Sequence, residues 1–184
     1  MVLITISGTP GSGKTTVARL LAKRLGLPHV YAGDLYRDEA KRRGLSLAEF
    51  NALAEQDHSI DRALDAKIAE YARQGGVVLE GRLAAFISRQ EGARALKVWL
   101  HADDAVRARR VAERETKDWQ EVLEANRVRQ RSDAKRYWDI YHFDLDDTSI
   151  YDLKINTDSQ SPEAVAECIL AQARAQFAEL RGAP

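Results

Sequence analysis

The sequence predicts a three-layer α/β/α fold, with a five-stranded parallel sheet covered by helices on both faces. Three observations predict it. Short apolar, β-branched segments alternate with longer stretches of helical period along the whole chain. The link between the first such strand and the first helix, GTPGSGKT at 8–15, fits a phosphate-binding pattern. The 184 residues are 45% hydrophobic and 30% charged, which supports a full core and argues against wholesale disorder.

Each element has its own warrant. Residues 2–7, VLITIS, are short, β-branched and end at glycine, which reads as a buried strand. From Lys14 to Leu25 the apolar residues Val17, Leu20, Leu21 and Leu25 share one helical face, and Gly26 stops the helix. HVY at 29–31 is a short second strand. Helices are expected from Asp34 to Arg43, from the capping box Ser46–Glu49 through Leu53, and from Asp61 to Gln74, before Gly75-Gly76 breaks the pattern. VVLE (77–80) and LKVWLH (96–101) are the third and fourth strands. Asp103 is expected to cap a helix to about Glu115, and another runs from Trp119 to about Tyr137. YDLKIN (151–156) is the fifth strand. Ser161-Pro162 opens a last helix to about Leu180, with proline in the first turn. The all-helical span of about 45 residues between the second and third strands exceeds an ordinary crossover and implies a helical insertion at about 34–74. No repeat, low-complexity linker or second domain interrupts residues 1–184, so one domain is expected.

Composition excludes several function classes. Basic and acidic residues number 28 each, and the pI is near 6.9, so nothing draws the whole molecule to nucleic acid or membrane. The N-terminus lacks a basic start and long apolar run, so no signal peptide is expected, and no 18-residue apolar stretch occurs. The single cysteine, Cys168, cannot pair internally; a cytoplasmic protein is expected, with Cys168 a buried thiol on its helix.

GTPGSGKT carries the first chemistry. Gly8, Gly11 and Gly13 let the backbone curl until successive N–H groups face one anion, and Thr9, Pro10 and Ser12 complete that cradle. The helix behind it adds its positive end. Lys14 reaches β- and γ-phosphates, while Thr15, followed by Thr16, offers a hydroxyl to Mg²⁺. A dinucleotide fingerprint is absent, because Gly11-Ser12-Gly13-Lys14-Thr15-Thr16 lacks the last glycine. No N/T-K-x-D run reads guanine, and the chain is short for a motor core. A small kinase binding ATP with Mg²⁺ remains.

Charge is balanced overall but not locally. Residues 107–136 hold ten basic and six acidic side chains, and 139–158 hold six aspartates and one lysine. Within RVRQRSDAKRY (127–137) five of eleven positions are basic. Arg129, Asp133 and Arg136 are spaced i, i+4, i+7 and so share one helical face, whereas Arg127 and Arg131 point elsewhere. Arginine, at twenty against eight lysines, suits paired contacts with phosphate oxygens. YAGDLYR (31–37) and LEGRLA (79–84) leave the second and third strands at the C-terminal edge, where ligands bind in open α/β sheets.

With these motifs together (GTPGSGKTT, the AGD-x-x-R turn, SLAEF, VVLEGRLA, VRARR, AKRY and DLDD-x-SIYDL) the sequence resembles the nucleoside monophosphate kinases of the P-loop fold, and within them the short archaeal-type cytidylate kinases. The resemblance implies phosphoryl transfer from Mg·ATP to CMP or dCMP by a cytoplasmic monomer that binds neither nucleic acid nor membrane. It implies an acceptor site of Asp34, Arg37, Gly81, Arg82, Arg129, Asp133 and Arg136, with Asp133 orienting its neighbours. Lys14, Arg110, Arg129 and Arg136 would stabilise the transferring group, Glu80 would stand near Mg²⁺ through water, and a short lid would span about 110–136. His101 stands where the family usually has an acid, and Ala85-Phe86 where Gly-Trp is commoner, which reshapes expectations for the base pocket. Another monophosphate acceptor, AMP or UMP, or an ATPase assembly factor on the same scaffold, stays open from the residues alone.

Overall fold

The computed structural model describes residues 1–180. The sheet has five strands, β1 (Leu3–Gly8), β2 (His29–Tyr31), β3 (Val77–Glu80), β4 (Leu96–His101) and β5 (Leu153–Asn156), in the order β2-β3-β1-β4-β5. Every pairing is parallel, with Ile4 opposite Val78 on one side and Leu96 on the other. The three layers and five strands expected from sequence are present.

Strand alternation assigns the two faces. Ile4, Ile6, Val78, Val98 and Ile155 pack against α1 (Lys14–Leu25) and α8 (Pro162–Gln176). Leu3, Val77 and Leu79 pack against α5 (Ala84–Gln90) and the end of α4 (Ser59–Gln74). Burying such side chains stabilises by about 1.5–3 kcal/mol each, which fixes the register, since a slip of one residue would exchange the faces.

Between β2 and β3 lie α2 (Ala32–Arg42), α3 (Leu47–Gln56) and α4. Ala40, Phe50, Ala54, Ile60 and Leu64 form a separate small core there, and α4 then continues onto the sheet. The Ser46 capping box is made in full: the Glu49 N–H donates to Ser46 Oγ, and the Ser46 N–H donates to Glu49 Oε2 at 2.8 Å. The α6 (Asp104–Glu115) and α7 (Trp119–Tyr141) helices pair through Ala108, Val111, Ala112 and Val122.

Several expectations change. The sequence does not announce α5, because its seven residues, five of them buried and only Arg89 and Gln90 exposed at its end, are too few to show a helical period. The α7 helix runs four residues past Tyr137, to Tyr141, and α8 ends at Gln176 with a 3-10 turn at Ala178–Leu180. Asp103 precedes α6 but makes no side-chain cap; its N–H donates to Asp158 Oδ1 at 2.8 Å. Cys168 is exposed rather than buried, because Val165, Ala166, Ile169 and Ala173 occupy the inner face of α8. No helix among the described residues is long and apolar enough to cross a membrane.

Candidate active site

The loop from Gly8 to Gly13 leaves β1 at the C-terminal edge of the sheet and enters α1 at Lys14. Gly11 has φ +82, and a Cβ there would lie 2.5 Å from the Arg107 carbonyl oxygen, so the close approach of the loop to α6 requires glycine. Lys14 Nζ donates to the Thr9 carbonyl at 2.7 Å, which folds the ammonium back under the loop. Burial, opposed by Glu80 and reinforced by Arg82, Arg129 and Arg107, lowers Lys14 to about 7. A cavity of ≈ 300 Å³ beside the loop is lined by Gly11, Gly13, Thr16, Arg110, Thr157 and Gln160.

Thr15 and Glu80 meet although far apart in sequence. The Thr15 hydroxyl donates to Glu80 Oε1 at 2.6 Å, and Glu80 Oε2 lies 2.9 Å from His29 Nε2. Glu80 is fully buried at the end of β3, beside the loop. Two hard oxygens there fit Mg²⁺, which takes one or two protein oxygens and completes its shell with phosphates and water. Among the described residues no group of three metal-binding side chains competes with that arrangement.

The arginines converge where the helical spacing places them. Asp133, on α7, pairs with Arg82, which follows β3. Its Oδ1 lies 3.2 Å from Arg136 Nη2, and its Oδ2 lies 3.9 Å from Arg129 Nε. Burial, with Arg129 nearby, pushes the Arg82 guanidinium down to about 9, so it stays cationic near neutrality while shedding its water. Gly81 is buried between the strand and α5, and its carbonyl accepts the Ser7 hydroxyl at 2.9 Å. Arg127 and Arg131 lie outside this cluster, on Asp104 and Glu124.

Arg37 stands apart on α2. It donates to Asp34 Oδ1 at 2.6 Å and lies 4.9 Å over the Tyr31 ring. Gly33 makes this possible, since a Cβ there would fall 2.5 Å from that ring. Arg110 also lies apart from the Asp133 cluster: its Nη2 donates to the Thr157 carbonyl at 2.6 Å, against the cavity beside the loop. His101 is exposed at the end of β4, and its carbonyl accepts the Thr157 N–H at 2.8 Å. Ala85 and Phe86 are buried, with Phe86 stacked 5.0 Å from Phe143, so this pair builds core.

Arg107 was missed. It is buried, its Nη1 donates to the Pro10 carbonyl at 3.0 Å and its Nε to the Ala102 carbonyl at 3.1 Å, and it pairs with Asp104. It therefore clamps the phosphate loop to α6. Nothing separates it in sequence from Arg109 and Arg110 except its i,i+3 relation to Asp104.

Comparison with known proteins shows the family. The model of the cytidylate kinase-like family matches residues 3–159. The cytidylate kinase of Halobacterium salinarum is 45% identical over 179 residues, covering 97% of this chain and 92% of that protein. The cytidylate kinase of Methanopyrus kandleri is 46% identical over 169 residues, 88% of each chain. Among solved structures, the shikimate kinase of Bacteroides thetaiotaomicron superposes with a TM-score of 0.62 at 18% identity, covering 94% of this chain and 98% of that one. A gluconokinase from Sinorhizobium meliloti does so with 0.62 at 18%, covering 98% and 95%. These two likenesses concern the fold alone.

Proposed function

The chain belongs to the cytidylate kinase-like family, and from that premise we propose that it transfers the γ-phosphoryl group of ATP to the α-phosphate of CMP or dCMP, yielding ADP and CDP or dCDP. The observation that carries the reading is the convergence of Arg82, Arg129 and Arg136 on Asp133, with Arg82 lining one cavity together with Gly8 and Thr9 of the loop and Gln130 and Ala134 of α7. An anion drawn between the loop and that cluster replaces the arginines' mutual repulsion with attraction. The acceptor phosphate is already an anion, so the transfer needs little general-base help; positioning and charge stabilisation supply the rate.

In this reading residues 8–16 cradle the donor phosphates, with Arg110 on the donor's side of the transfer. Arg37, oriented by Asp34 and Tyr31, grips the acceptor phosphate. Gly81, where a Cβ would lie 2.9 Å from Ala32, lets α2 pack close to the strand end that carries Arg82, while Arg129 and Arg136, oriented by Asp133, gather the charge of the transferring group. Thr15 and Glu80 would hold Mg²⁺, Glu80 through water, and the ion would supply neutralisation of phosphate charge. Residues 34–74 form the acceptor-binding insertion and 110–136 the short lid of one kinase domain over 1–184. We further propose a cytoplasmic monomer without nucleic-acid or membrane partners. Preference for cytosine rests on the relatives' names.

An acceptor panel of CMP, dCMP, UMP and AMP with Mg·ATP, read by ADP release, tests this. We expect CMP and dCMP to be turned over fastest. Preference for AMP or UMP, or ATP hydrolysis raised by RNA and not by CMP, would overturn it. Arg129→Ala and Arg136→Ala should each lose roughly 10³ in rate if they meet the transition-state charge. Near-normal turnover in both would contradict the clamp.

A further inference from the structure

Arg136 takes its charge partners from two different elements. Asp133, on its own helix, lies 3.2 Å from Nη2, and Asp61, on α4 of the insertion, places Oδ2 2.9 Å from Nε, an ion pair of close charges without hydrogen-bond alignment. Asp61 is 3% exposed and Arg136 5%. A carboxylate so buried is costly unless its partner compensates, and removal of one partner strands the other. Arg136 also lies over the Tyr137 ring at 5.2 Å, which restricts its swing. The same seam continues on both sides: the Ser132 hydroxyl donates to Glu55 on α3, and the Tyr141 hydroxyl donates to Asp65 on α4 at 2.9 Å.

Among the described residues Asp61 makes no hydrogen bond or ion pair with the phosphate loop or with Arg82. It acts on the site through Arg136. We propose that Asp61 is a positioning residue that reaches across from the insertion and fixes the Arg136 guanidinium, so that its remaining donors face the phosphoryl-transfer site only while the insertion is docked on α7. This rests on the kinase reading above. It gives the arginine cluster a reporter of insertion position: with α4 displaced, Arg136 keeps Asp133 alone and loses its second anchor. The cluster's charge adds a second consequence. Arg82, Arg129 and Arg136 face Asp133 and Asp61, so Asp61 cancels part of the attraction for an acceptor phosphate while improving aim.

That opposition yields a signature that simple damage does not. Asp61→Asn, near-isosteric and neutral, should lower kcat about tenfold, the scale of coupling between contacting residues. KM for CMP should stay level or fall, because a negative charge has left the site. Asp61→Glu should recover part of kcat. Adding Asp61→Asn to Arg136→Lys should cost no further activity. A kcat within about twofold of wild type, or fully additive losses in the double variant, would overturn the proposal. Wild-type turnover of CMP separately decides the kinase reading. Independently of any acceptor, nitrogen-15 relaxation at Arg136 Nε should show a rigid side chain in wild type and Asp61→Glu and a mobile one in Asp61→Asn; equal order parameters would also overturn it. If Asp61→Asn does not fold, Asp61→Glu carries the same measurements: a rigid Arg136 side chain in Asp61→Glu supports the anchor, and a mobile one there rejects it.

Discussion

Lys14 is where sequence and environment pull in opposite directions. The loop motif asks for a cation under the phosphates, yet burial, with Arg82, Arg129 and Arg107 adding to it, lowers the ammonium to about 7. In the free protein near pH 8 the amine is therefore largely neutral. A polyphosphate beside it restores the charged form, so nucleotide binding must draw in a proton. The sign follows: affinity for ATP is greatest below pH 7 and weakens as pH rises through the lysine's free value. Calorimetry of ATP binding at pH 8, in buffers of different ionisation enthalpy, should show uptake of roughly one proton. Lys14→Met should abolish that uptake while lowering affinity. Equal heats in all buffers for wild type would mean that Lys14 is already charged in the empty site. The partnership of Thr15 with Glu80 was within reach of the sequence, since the motif names a hydroxyl and β3 ends in an acid. The His29 contact to Glu80 was not, because a single histidine in a short strand carries no pattern.

Among the elements, α7 does the most varied work. Asp118 caps it by accepting the N–H groups of Gln120 and Glu121, and its 23 residues then pass three partners in turn. Gln130 lies near Arg107, which grips the phosphate loop; Arg129, Asp133 and Arg136 form the charged cluster; Ser132 and Tyr141 hold the insertion. The i, i+4, i+7 spacing made the middle set legible, because helical geometry alone brings those side chains together. The outer contacts join residues more than seventy positions apart, and no local period encodes them. One of them is sensitive to pH. Burial raises Asp65 to about 7, opposed by the Tyr141 hydroxyl that donates to it and reinforced by Asp61. Its folded value therefore exceeds its unfolded one, so its contribution is fully present below about pH 4 and is lost as pH rises through about 7. Asp65→Asn keeps an acceptor for Tyr141 and cannot ionise. It should stabilise the protein at pH 8 by on the order of 1 kcal/mol in urea unfolding, with the gain shrinking toward pH 4. A gain independent of pH would show that Asp65 is not the titrating group.

For the molecule as a whole, the layers were legible because strand alternation and the loop motif are written in contiguous residues. Leu3 and Ile4 already name the two faces of the sheet. The α5 helix was hidden because its two turns, buried through Ser88 and exposed only at Arg89 and Gln90, are too short for a period to read. Arg107 was hidden among neighbouring arginines for want of a local distinction. The candidate site is thus two-sided: the phosphate loop leaves the sheet and is tied to α6 by Arg107, while α7 brings Arg129 and Arg136 from outside the sheet, with Arg37 on α2 of the insertion. Under the proposed function, a ligand carrying adenosine and cytidine joined by a chain of phosphates should engage both sides at once. Its affinity should exceed that of either mononucleotide by at least about 10², because the second contact becomes intramolecular. Amide exchange should slow both at residues 8–16 and along 55–65 and 129–141, since the ligand's charge draws the insertion and α7 onto the loop. Protection confined to 8–16, with affinity no better than ATP, would mean that the arginines of α7 and the phosphate loop do not serve one site.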